Sequence, residues 1–66
     1  MKRFIIFQQK DGISTIVYDA IIPTNMIESH VLLYYTMYQT SDTAHSYYFD
    51  IHDTDKTEPE VSKWFN

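Results

Sequence analysis

Five side chains that could do chemistry fall between positions 45 and 55: His45, Asp50, His52, Asp53 and Asp55. Two histidines and a carboxylate are a ligand set for a transition metal. Ser46, Asp50 and His52 are also the residue types of a hydrolytic triad. The stretch that holds them, "HSYYFDIH" at 45–52, alternates as a half-buried, antiparallel strand. Tyr47, Phe49 and Ile51 face inward; Ser46, Tyr48, Asp50 and His52 face outward. A regular strand provides neither a strained nucleophile turn nor an oxyanion hole. The histidine and carboxylate spacing matches no metal-binding signature. The expectation is therefore no catalytic residue, no metal site, no cofactor and no enzymatic activity. Glu58 and Glu60 are explained as a helix-capping pair rather than as acid–base catalysts.

The wider composition narrows the classes further. The chain has 66 residues, no cysteine and a single glycine, Gly12. Disulfides and thiolate zinc sites are excluded, and a phosphate-cradling loop would need several glycines. A chain of this size is expected to form one domain that buries only about 60% of its unfolded surface. Small folds of that kind draw stability from good packing, a metal or a partner chain. The net charge is −4, with six acids and one lysine between Asp42 and Glu60. Lys2, Arg3 and Lys10 make the other end basic. With so few basic residues, DNA or RNA binding is not expected. No apolar run reaches the ~18 residues of a membrane span, and the opening "MKRFIIFQQKDG" is too short in apolar residues for a signal peptide. The location expected is cytoplasmic.

The elements that must position these residues read as follows. "KRFIIFQQ" at 2–9 is a strand apolar on both faces, which suits a central position. Asp11–Gly12 is the signal for a type I′ hairpin, because both turn positions need positive φ. The second strand, 13–22, sets Ile13, Thr15 and Val17 on one face and Ser14, Ile16 and Tyr18 on the other. Asp19 marks a bend or bulge. Pro23 stops this strand, closing a hairpin over 2–22. Asn25 with Glu28 forms a capping box, and a main helix is expected at about 26–39; the rival reading is a buried strand at 31–38. A third strand follows at 45–52. Thr57, Pro59 and Glu60 then open a short C-terminal helix at about 58–65, with Val61, Trp64 and Phe65 on one face. The fold class expected is α+β, in the order ββαβα, with a three-stranded, mostly antiparallel sheet packed on one main helix.

The helix carries too much apolar surface for one small sheet. Ile27, Val31, Tyr34, Tyr35 and Tyr38 form one stripe. Met26, His30, Leu33 and Met37 form a second, about 110° away, and together the two span about 200°. The second stripe is covered either by the C-terminal helix folding back with Trp64 and Phe65, or by self-association through Met26, His30, Leu33 and Met37 about a two-fold axis. Methionine suits such adaptable contacts. Six of the eleven aromatic residues are tyrosine. Tyrosine is enriched at interfaces and can stack on a base. Tyr35, Tyr38 and Tyr48 are thus candidates for binding a partner or ligand, with Asp50, His52 and Asp53 of the acidic stretch Asp42–Glu60 beside them.

In general character the chain resembles the short accessory proteins that bacterial viruses encode: tiny, free of cysteine, rich in isoleucine and tyrosine, mildly acidic. The resemblance lies in size and composition over the whole chain, and it implies binding and blocking of a host component, such as a defence protein. The function expected is a small acidic, non-enzymatic binding protein, a homodimer or higher oligomer whose partner is a host protein. The alternative is an oligomeric sponge that holds a small nucleotide-like signal in Tyr-lined pockets between subunits, with Lys2, Arg3 or Lys10 meeting phosphates. A structural or assembly subunit is a further alternative.

Overall fold

The computed structural model describes residues 1–64. β1 (Lys2–Lys10) and β2 (Ile13–Ile22) form a hairpin. Asp11 and Gly12 turn it with φ of 53° and 76°, the double positive φ of a type I′ turn. β3 (Ser46–Asp53) pairs antiparallel with the free side of β1, and β4 (Glu60–Trp64) with the free side of β2. The sheet order is β3-β1-β2-β4, so β1 is central, as its apolar faces require.

One helical segment, residues 24–41, crosses one face of this sheet. It opens with a 3-10 turn at Thr24–Met26 and an α-helical turn at Ile27–His30. It widens to π-helical over Val31–Tyr35 and returns to α-helical at Thr36–Ser41. No side chain caps its start, so the expected Asn25–Glu28 box does not form; Pro23 stands at the N-cap position. Two consecutive tyrosines at the end of this turn reach different strands. Tyr34 stacks on Tyr18 of β2 at 4.9 Å, while Tyr35 packs edge-on against Phe49 of β3 at 4.8 Å.

The architecture is α+β, with a correction at the C-terminus. Among the described residues there are four strands instead of three, in the order ββαββ, and residues 60–64 are a strand where a helix at 58–65 was expected. A helix of eight residues gains little by itself. A strand there satisfies the N–H and C=O groups that β2 would otherwise leave open from Tyr18 to Ile21. Phe65 lies outside the described residues.

A second correction concerns the faces of β2. Ile6 pairs with Tyr18 but Phe7 pairs with Ile16, leaving Val17 as an extra residue. This bulge reverses the alternation. Tyr18 therefore joins Val17 in the core, together with Phe4, Ile6, Ala20, Ile22 and Tyr38. Ile27, Val31, Tyr34, Tyr35, Tyr47 and Phe49 pack around them. The opposite face of the sheet carries Arg3, Ile5, Phe7, Asp19, Tyr48, Asp50 and His52.

Candidate functional site

The helix divides the surface on its side of the sheet into two clefts. The first, of about 450 Å³, is lined by Gln8, Val17, Met37, Tyr38, Ser41, Asp42 and Tyr47. At its end Asp42 gathers several donors. The Tyr47 hydroxyl donates to Oδ2 at 2.7 Å, and the Ala44 N–H to Oδ1 at 3.0 Å. His45 Nδ1 lies 2.6 Å from Oδ2. The His45 and Tyr47 bonds hold the Asp42 carboxyl down at about 2. The hydroxyl brought to this cluster bonds the carboxylate, not the imidazole. Chemically the arrangement fastens the loop after the helix onto β3 and, through Gln8 Nε2 donating to Tyr47 Oη at 3.0 Å, onto β1.

The second cleft, of about 540 Å³, is more aromatic. Tyr18, Tyr34, Trp64 and His30 line it, together with Met26, Pro23 and Glu60. Trp64 packs edge-on against both Tyr18 and Tyr34, at 5.4 and 5.0 Å. Burial, with Tyr34 and Tyr38 close by, pushes the Tyr18 phenol up to about 12, so it stays protonated.

The candidate self-association residues are brought to the outer side of the helix, with one exception. Leu33 is 62% exposed, Met26 44% and Met37 39%; Leu32, which falls outside that stripe, is 67% exposed. His30 is half-buried: its Nδ1 donates to the Met26 carbonyl at 3.0 Å, and its ring tilts against Tyr34. Trp64 reaches the helix from a strand rather than from a helix folded back.

The candidate partner-binding residues are dispersed. Tyr38 is buried, and its hydroxyl donates to the Val17 carbonyl. Tyr35 is half-buried, with its hydroxyl on the Tyr47 carbonyl at 2.9 Å. Neither presents a contact surface. Tyr48, Asp50 and His52 share the sheet face away from the helix. There Tyr48 stacks on Phe7 at 4.8 Å, and its hydroxyl donates to Ser14 Oγ at 2.9 Å. Asp53 pairs with Lys2, which lowers its pKa. On the same outer face Arg3 grips Asp19 with two bonds, of 2.9 and 2.6 Å.

Among the described residues no group of three or more His, Asp and Glu is placed to hold a metal, and no helix is long and apolar enough to cross a membrane. The Asp42 cluster and the Arg3–Asp19 pair are absent from the sequence reading. Both depend on cross-strand register; Gln8 opposite Tyr47 is the signal that a β1–β3 pairing would have supplied. No protein-family model, curated protein or solved structure matches the chain.

Proposed function

We propose that the chain is a non-enzymatic binding protein that occupies a host protein through the outer side of its helix. The observation behind this reading is the exposure of Met26, Leu32, Leu33 and Met37 on a helix whose other side packs on the sheet. A small acidic domain gains nothing in its own folding from leucines held in water. Methionines flanking two leucines make an adaptable anchor. With a net charge of −4, the complementary partner surface is apolar with a basic rim. Blocking a host component, as in the accessory proteins of bacterial viruses that the chain resembles, is the role this chemistry serves best.

The test is capture from bacterial lysate by the tagged full chain at low salt, beside Leu33→Glu. A host protein held by the wild type, released by salt and lost with Leu33→Glu supports the reading. Recovery of the chain alone sinks it.

The aromatic second cleft favours one other reading, a sponge for a nucleotide-like signal, with Tyr34 or Trp64 stacking on the base. Two of the three cations it called on are already engaged, Lys2 with Asp53 and Arg3 with Asp19. A thermal-shift screen of nucleotides decides it, since a ligand at 100 times its dissociation constant adds about 2.7 kcal/mol.

A further inference from the structure

The two edges of the sheet are built differently. Edge strands expose a row of unpaired N–H and C=O groups, and proteins blunt them with short length, charged side chains (above all lysine), proline or a bulge. β4 has all four devices. It is five residues long, Pro59 precedes it, Lys63 lies within it, and Ser62 is an extra residue against β2. β3 has only two carboxylates, Asp50 and Asp53, in its second half. It runs for eight residues without lysine, proline or glycine, and pairs with β1 from Ser46 to Asp53 with no shift of register. Among the described residues no strand lies on its outer side.

We propose that the β3 edge is the seam of a homodimer, in which two copies of β3 pair antiparallel about a two-fold axis centred on Phe49. The two four-stranded sheets become one sheet of eight, with both helices on the same side.

The register follows from the side chains. Residues facing each other across an antiparallel pair lie on the same side of the sheet, so a two-fold seam must be centred on a residue. The middle of β3 offers Phe49 or Asp50. Centring on Asp50 sets two like charges directly opposite, which is unfavourable. Centring on Phe49 brings Phe49 to its own copy and Tyr47 to Ile51 on the helix side. On the other side Tyr48 meets Asp50 and Ser46 meets His52. That register has two kinds of apolar pair on one face, polar pairs on the other, and no like charges opposed. The strand is its own complement, which singles out a second copy as the occupant, and a two-fold contact closes at two subunits. The Tyr47 carbonyl already accepts from Tyr35, but a carbonyl oxygen has a second lone pair.

The experiment combines sedimentation equilibrium of the full chain with cross-linking, in a background that has no cysteine of its own. Ser46 and His52 are exposed, and they stand about 20 Å apart along their own strand. They cannot bridge within one chain, but they fall directly opposite across the seam, within disulfide range. The expected results are a mass twice 7.9 kDa and, under mild oxidation, about tenfold more linked dimer from Ser46→Cys/His52→Cys than from either single variant. Ile51→Lys should weaken dimerisation about tenfold while keeping the far-ultraviolet circular dichroism of the wild type. A monomer mass at high micromolar concentration overturns the proposal. So does a dimer that the double variant links no better than the single ones, or one split by Leu33→Glu but not by Ile51→Lys, which would place the seam on the helix. Should Ile51→Lys fail to fold, the cross-linking comparison at the two exposed positions decides alone. Self-association is read separately from host-protein capture, so either result stands without the other.

Discussion

The Tyr38 hydroxyl donates to the carbonyl of Val17 at 3.1 Å, and Val17 is the residue that β1 leaves without a partner. The bulge that turns Tyr18 into the core thus has one of its backbone groups satisfied from the helix. A buried carbonyl deprived of its donor costs about 1–3 kcal/mol. Tyr38→Phe keeps the ring and removes the donor, so the free energy of unfolding should fall by that amount, read as a lower urea midpoint at an unchanged slope. An unaltered midpoint would mean that the bulge does not depend on the bond.

Arg3 and Asp19 form a fork-on-carboxylate pair on the face opposite the helix. The Asp19 side chain is 12% exposed and that of Arg3 46%. Removing Arg3 leaves a nearly buried charge alone, and the half-exposed position of the arginine moderates the loss to about 1–2 kcal/mol. Arg3→Met should therefore destabilise, while Arg3→Met with Asp19→Leu should recover most of the loss. A double-mutant cycle measured by urea unfolding checks this; additive single effects would remove the coupling.

Acid sensitivity should trace largely to Asp42. Its folded pKa, about 2, lies below the ordinary 3.8 because His45 and then Tyr47 hydrogen-bond the carboxylate. A depressed carboxylate contributes stability above its unfolded pKa, and loses it as pH falls through the folded one. The window therefore runs from about pH 4 down to about pH 2. Asp53, lowered by Lys2, acts in the same direction. Asp42→Asn should flatten the acid limb of a plot of urea midpoint against pH while leaving the contribution of Asp53. An acid limb as steep as the wild type's would exclude Asp42 as its source.

Much of the frame was legible because it rests on local signals. Asp11–Gly12 demanded its turn, and the stripe Ile27, Val31, Tyr34, Tyr35 and Tyr38 is the one that packs on the sheet. The misreadings share one cause, which is pairing between distant segments. Residues 60–64 have helical spacing by themselves, but the open side of β2 takes them as a strand. The bulge falls at Val17, two residues before Asp19, where the sequence suggests a bend or bulge, and it decides which face Tyr18 occupies. Tyr38, a candidate for partner binding, lies in the core instead, with its hydroxyl on the Val17 carbonyl at that bulge. The histidines and acids around His45 and Asp50 are neighbours along the chain only. In the fold His45 goes to Asp42, while Asp50 and His52 go to the far face of the sheet.

β4 should detach before the rest of the sheet. It is short, exposed along its length and broken by the extra residue Ser62. Such edges open locally at less than the global free energy of unfolding. The chain has one tryptophan, and Trp64 sits against Tyr18 and Tyr34 at the end of that strand. Its emission therefore reports β4 docking, while far-ultraviolet circular dichroism reports the hairpin and the helix. In urea the tryptophan signal should change at a lower concentration than the circular dichroism. Tyr34→Ala, which removes one wall of the Trp64 site, should widen the gap by lowering the fluorescence midpoint more than the other. Coincident midpoints in the wild type would instead make β4 part of the cooperative core, and the strand's pairing with Tyr18–Ile21 as strong as the hairpin's own.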